Sequence, residues 1–244
     1  MTRITASLGL LVLLAGEAAA ESVDLELVLL ADASRSIDDG EILLQRQGYA
    51  AAITHPEVLR AIAQGFDQRI AVTYVEWGDA RSQDVVVSWT IIDGPDSAAA
   101  FGETLMKQPR RAFGPNAIGS AITVAQALIE RNELEGYRKV IDLSADSANS
   151  WDGVSLAEAR QTALMADIVI NGLAVLCRSC SGRPNSYDLE AAFADRIIGG
   201  PASFVVTADG DAPFAEAVRR KLLLEIAGTT PPREAIAGRA TEMP

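Results

Sequence analysis

Short apolar runs alternate along this chain with stretches of helical spacing, and that alternation restricts the possible folds more than any other feature. Residues 25–31, 69–77, 84–90, 139–144, 168–176 and 203–207 are rich in Val, Ile, Leu and Tyr and read as strands. Several of them are apolar on both faces, which requires helices covering each side of a parallel sheet. Between them, Ile118, Ala121, Ile122, Ala125, Leu128 and Ile129 form one buried stripe. Phe214, Val218 and Leu222 form another, started by Asp211 and Pro213 and stopped by Gly228. Fainter helical patterns cover 41–52, 56–63, 97–107, 156–165 and 187–197. The expected fold is α/β, doubly wound, with a mainly parallel central sheet and helices on both faces. The link from Trp77 to Asp84 is too short for a crossover helix, so one antiparallel edge strand is expected.

The first twenty residues read as an export signal rather than fold. A lone Arg3 precedes an apolar stretch too short to span a bilayer, and Ala18-Ala19-Ala20 suits cleavage. Residues 21–228 are expected to form one domain and residues 229–244, with Pro231-Pro232 and no apolar period, a flexible tail. No later segment approaches a spanning helix, so the reading is an exported protein, periplasmic or secreted, without stable membrane insertion. The formal charge of −12 argues against a nucleic-acid partner, because phosphate binding relies on Lys and Arg.

The first predicted strand ends in Asp32-Ala33-Ser34-Arg35-Ser36. In an extended loop, alternate residues project to one side, so a carboxylate and two hydroxyls are brought together. A small hard cation such as Mg²⁺ accepts that oxygen set. The competing reading is local: Ser36 or Asp38 caps the following helix, with Asp39 and Glu41 favouring its N-terminal end. Two more loops matter here, Gly114-Pro-Asn-Ala-Ile-Gly-Ser120 before the clearest helix and the strand-ending Asp142-Leu-Ser-Ala-Asp146.

With these three loops the sequence resembles a von Willebrand factor A domain, whose metal-ion-dependent adhesion site combines D-x-S-x-S, a threonine before a later helix and an aspartate after the fourth strand. The resemblance spans residues 23–228. Through "VTYVEWGD", "YRKVIDLSAD", "DIVINGL", "IIGGPASFVV" and "RRKLLLEIAG" it is most similar to a bacterial family of exported proteins of unknown function. The resemblance implies metal ligands at Asp32, Ser34, Ser36 and Asp146, with Asn116 where the pattern has threonine. An Asn carbonyl is an acceptable oxygen ligand that cannot donate as a hydroxyl does. Ser147 stands where a glycine often follows the late aspartate, which would be strained if the turn demanded positive φ. Ser147, Asn149, Trp151 and Asp152 are expected to form a partner-binding rim.

Other motifs bear on alternatives. Cys177 and Cys180 form a C-x-x-C pair followed by loop residues; a small disulfide, free thiols, and redox or zinc chemistry all remain open. His55, the single histidine, lies in Thr54-His-Pro-Glu57, where Thr54 is expected to cap a helix started by Pro56. There is no phosphate-cradling glycine motif and no G-x-S-x-G elbow. Glu76 and Asp142 lie in apolar strands and need partners if buried, and Glu76 has the additional option of approaching the metal loop. Trp77 and Trp89 are expected in the core.

The leading expectation is a non-enzymatic binding module that holds Mg²⁺ or Mn²⁺ and grips an acidic group on a protein or peptide. The alternatives are a metal-dependent hydrolase, for which a general base is lacking, and a structural module with a degenerate metal site.

Overall fold

A computed structural model describes residues 20–176, 188–208 and 214–228. The expected leader as far as residue 19, Cys177 and Cys180, the expected helix start at Asp211 and Pro213, and the expected tail 229–244 lie outside the described residues.

The expected strands occur as β2 (Glu26–Asp32), β3 (Ile70–Trp77), β4 (Gln83–Ile92), β6 (Lys139–Ala145), β7 (Ile168–Val175) and β8 (Val205–Ala208). They form one sheet in the order β4-β3-β2-β6-β7-β8, parallel throughout except for the antiparallel edge pair β3–β4. The helices are α1 (Asp39–Ile53), α2 (Pro56–Ala63), α3 (Pro95–Lys107), α4 (Ile118–Glu130), α5 (Leu156–Met165), α6 (Leu189–Arg196) and α7 (Phe214–Ala227). Sequence patterning did not anticipate β1 (Glu21–Val23) and β5 (Leu134–Gly136), which pair in parallel as a separate ribbon. Three residues are too few to show a period.

Each central strand feeds two cores, as its apolar character demands. From β2, Leu27, Leu29 and Ala31 join Tyr49, Phe101 and Leu222 on the face covered by α1, α2, α3 and α7. Val28 and Leu30 join Ile118, Ile122 and Phe193 on the face covered by α4, α5 and α6. Each of the Leu, Ile, Val and Phe side chains among them contributes roughly 1.5–3 kcal/mol through burial. Trp77 is fully buried, whereas Trp89 is half-buried with its indole N–H donating to Leu128 O at 3.2 Å.

The chain leaves β2 into α1 on one face and leaves the adjacent β6 into α5 on the other. Opposite departures at neighbouring strands open a crevice at their carboxyl ends.

Both strand acids are buried and partnered. Glu76 meets Arg46 of α1 through two hydrogen bonds, at 2.7 and 2.9 Å, which makes it a buried polar link. Asp142 Oδ1 lies 2.6 Å from Lys221 Nζ of α7, which also donates to Glu225 Oε1 at 2.5 Å. Asn171 ties this cluster to β7, donating to Glu225 at 3.2 Å while accepting from Phe204 N–H at 3.1 Å. Burial pushes the Asp142 carboxyl up to about 7, and the Lys221 ammonium opposes that shift.

Two capping expectations separate. Asp38, not Ser36, caps α1, in a capping box with Glu41 at 2.8 Å in both directions. The cap of α2 is His55, not Thr54: the imidazole Nδ1 accepts from Glu57 N–H at 3.2 Å. Thr54 instead ends α1, its hydroxyl turned back to Ala50 O at 2.9 Å. Among the described residues no helix is long and apolar enough to cross a membrane.

Candidate functional site

Asp32 closes β2 between Trp77 of β3 and the end of β6. Its side chain is 1% exposed, and its Oδ1 accepts from Ser34 N–H at 2.8 Å. Oδ2 is buried without a hydrogen-bond partner. Among the described residues no Lys, Arg or His lies within ion-pair distance of Asp32. The Asp32 carboxyl is pushed up to about 7, first by burial and then by the nearby charge of Asp146; the Ser34 hydroxyl and the amides of Ser34 and Asp146 draw it partway down. Asp146 is thus near enough for its charge and its backbone amide to act on the Asp32 carboxyl.

The hydroxyls follow the carboxylate. Ser34 is buried, Ser36 is exposed, and their Oγ atoms are 3.3 Å apart. Ser36, Asn116 and Ser147, one from each loop, line a single open depression of about 340 Å³ together with Arg35, Pro115 and Trp151. Ser147 does not occupy the left-handed backbone region, so the serine that replaces glycine is accommodated without strain.

Backbone bonds lock the loops to one another. Arg35 N–H donates to Gly114 O at 2.7 Å, and Trp151 N–H donates to Asn116 O at 2.7 Å. Gly114 holds φ +107°, a conformation that disfavours a side chain, and a Cβ there would strike Asp79. Gly78, just past β3, passes so close to the second loop that a Cβ would lie 2.1 Å from Phe113 O.

Two side chains missed by sequence reasoning hold the first loop in place. Gln45 of α1 donates to Asp32 O at 2.9 Å. Arg110, largely buried, donates to Ala33 O at 2.9 Å, Ile37 O at 3.0 Å and Asp39 Oδ1 at 2.8 Å, with its guanidinium stacked 4.6 Å from the Phe113 ring centroid. Their targets are mostly carbonyls, which every residue has, so no motif announces them.

The expected rim divides. Ser147 and Trp151 border the depression. Asn149 turns to α6, accepting from Arg196 at 2.8 Å. Asp152 braces the loop, accepting from Ala80 N–H at 3.2 Å and Gly153 N–H at 2.8 Å. His55 lies beyond the far end of α1, whose fifteen residues span about 22 Å at 1.5 Å per residue, too remote to act as a base here.

Among the described residues, no three His, Cys, Asp or Glu side chains gather where they could hold an ion. A cation at this crevice therefore depends on neutral oxygens from Ser34, Ser36 and Asn116 beside the two carboxylates. That donor set fits a hard divalent ion, which is often held by only one or two carboxylates and retains water. The buried, unpartnered Oδ2 of Asp32 fits it as well.

The fold is similar to that of a von Willebrand factor type A protein from Catenulispora acidiphila, with TM-score 0.58, 17% identity, and 84% of this chain and 43% of that one covered. The pilus adhesin SpaC from Lactobacillus rhamnosus GG matches with TM-score 0.58 and 13% identity over 85% of this chain and 30% of its own. Proximal thread matrix protein 1 from the mussel byssus, solved with a zinc-occupied MIDAS motif, matches with TM-score 0.54 and 15% identity over 82% of this chain and 46% of its own. The chain thus spans less than half the length of each of these three. No curated protein matches it by sequence. A family model does, described as protein of unknown function (DUF1194), over residues 22–230. The chain belongs to this family, and its fold is that of the von Willebrand factor A domain.

Proposed function

We propose that this member of the DUF1194 family is an exported, non-enzymatic binding module that holds a divalent cation, Mg²⁺ or Mn²⁺, and uses it to grip an acidic group on a protein or peptide partner. The observation that carries the reading is the Asp32 carboxylate, buried, within reach of the Asp146 charge, and left with an unpartnered oxygen near two hydroxyls. A carboxylate buried beside a second acid is costly in its charged form unless a cation joins it.

Asp32 and Asp146 would supply the charge for holding the ion, and Ser34, Ser36 and Asn116 neutral oxygens. When bound, the ion offers a positive centre that attracts an anionic oxygen from outside. Gln45 and Arg110 keep the first loop in register, while the backbone bonds from Arg35 and Trp151 join the second loop to the other two. Ser147 and Trp151 wall the approach. Chemistry on the partner is not required, and the single histidine stands at the opposite end of α1.

Solved relatives of this fold include a pilus adhesin and a byssus matrix protein with an occupied MIDAS motif, which supports a binding role outside the cell for this chain. The leader-like first twenty residues support the same location.

Calorimetry with Mg²⁺ and with Mn²⁺ on the wild type and on Asp32→Ala tests the reading. Saturable binding at or below millimolar concentration, lost in the variant, is expected. Absence of binding to the wild type, or undiminished binding to Asp32→Ala, would overturn it.

A further inference from the structure

Two side chains at the mouth of the depression take no part in the metal set. Arg35 stands between Ser34 and Ser36, with its backbone fixed through Gly114 O. Its guanidinium is exposed and has no ion-pair partner among the described residues. Of the six residues lining the depression it alone is charged. In a chain of net charge −12, an unpaired guanidinium placed there is complementary to an anion. Its planar fork matches the two oxygens of a carboxylate.

Trp151 forms the other wall. It is 74% exposed, yet its backbone is pinned to Asn116 O. It borders both the depression and a larger groove of about 1010 Å³ running along α5, where Val154, Leu156, Leu164 and Met165 give apolar lining. Arg160 and Arg196 are balanced in that groove by Asp152 and Asp195, so the groove itself carries no net charge preference. Charge discrimination is thereby confined to the depression, and apolar contact to the indole and the groove beyond it.

We propose that the partner presents an extended peptide with an acidic residue and an aliphatic residue two positions away. In an extended strand those two side chains share one face, at about 3.3 Å of rise per residue. The carboxylate enters the depression and is gripped by Arg35 beside the ion, and the aliphatic side chain lies on Trp151. This rests on the metal reading for one carboxylate contact and adds two recognition residues that bind no metal.

The test uses the full chain and acetyl-Leu-Ala-Glu-Ala-Leu-amide in saturating Mg²⁺, followed by NMR at the Trp151 indole N–H, with its Gln-for-Glu counterpart as control. The Glu peptide is expected to shift that signal and the Gln peptide to leave it in place. Arg35→Ala should weaken peptide binding about tenfold, as loss of a facing charge does, while leaving Mg²⁺ affinity by calorimetry within about twofold. Arg35→Lys should recover part of the loss. Trp151→Ala should erase the advantage of the Leu peptide over one with Ala in both Leu positions. Equal binding of the Glu and Gln peptides, or undiminished Glu-peptide binding by Arg35→Ala, would overturn the proposal. Stronger binding of an acidic oligosaccharide such as oligogalacturonate would overturn the assignment to a peptide. Should the wild type take up no Mg²⁺, the metal reading falls. The recognition surface then stands if the Glu peptide still shifts the Trp151 signal in chelator, and falls if it does not.

Discussion

Strand β6 and the residue just past its end supply two buried aspartates four residues apart, Asp142 and Asp146, and the molecule treats them in opposite ways. Asp142 sits mid-sheet with a second carboxylate, Glu225, and the chain supplies its own cation from α7, Lys221, to lie between them. Asp146 sits beyond the strand end with a second carboxylate, Asp32, and no base lies within reach of Asp32 among the described residues. One carboxyl of each pair is pushed to about 7 by burial. An internal lysine makes a closed, permanent joint between helix and sheet. The Asp32 carboxylate at an open crevice has no such internal base among the described residues, and on the proposed function an external cation takes that part.

The sharpest way to break this comparison is to remove the internal cation. Lys221→Met should destabilise the protein by about 3–5 kcal/mol, because it strands buried carboxylates without a partner. Urea denaturation would show it, and adding Asp142→Asn and Glu225→Gln should recover most of the loss. A cost below about 1 kcal/mol would mean that the joint matters less than its burial implies.

The external cation gives the next largest effect. At a hundredfold excess over its Kd, Mg²⁺ should stabilise the wild type by about 2.7 kcal/mol in the same assay and Asp32→Ala by nothing. Folded Lys221→Met should keep the full metal response, since its defect lies elsewhere.

Acidity separates the two pairs more finely. The fold raises the Asp32 pKa from 3.8 to about 7, so the native state binds that proton more tightly than the unfolded chain. The associated stability is present at low pH and is lost as pH rises through the interval between those values. Without metal, the wild type should lose about 2 kcal/mol relative to Asp32→Asn between pH 5 and pH 7. Excess Mg²⁺ should flatten that difference at the upper end, because ion and proton compete for the same oxygen atoms.

The smallest effect concerns the support of the first loop. Arg110→Lys keeps the charge and loses the fork that reaches several acceptors at once, and should weaken Mg²⁺ binding roughly fivefold, about 1 kcal/mol. Unchanged affinity in calorimetry would show that the remaining bonds hold the loop alone.

The six main strands and seven helices are legible because each buries a face, and burial imposes a period on the residues. β1 and β5 are not, since three-residue strands repeat nothing. Asp32, Ser34 and Ser36 can be read from one contiguous spacing, whereas Asn116 and Asp146 come into view only through resemblance, being distant in sequence and ordinary in context. Lys221 shows no sign of its attachment to Asp142: a lysine in an amphipathic helix reads as solvated until the sheet is placed against it. Gln45 and Arg110 are equally silent, as their acceptors are mostly main-chain oxygens. The rim divided because two of its side chains are taken up by other parts of the fold, Asn149 by Arg196 of α6 and Asp152 by the Ala80 amide after β3 as well as its own neighbour Gly153.

Gly78 sets the tolerance of the whole arrangement. Its carbonyl accepts from Ala117 N–H at 3.0 Å, and the next amide, Asp79 N–H, donates to Phe113 O at 2.9 Å, so the segment carrying Asn116 is threaded against the end of β3 with clearance for a hydrogen and no more. A single methyl at this point acts as a shim, lifting one jaw of a three-jawed chuck while the other two stay clamped. Alanine there would leave the sheet intact and the grip out of true.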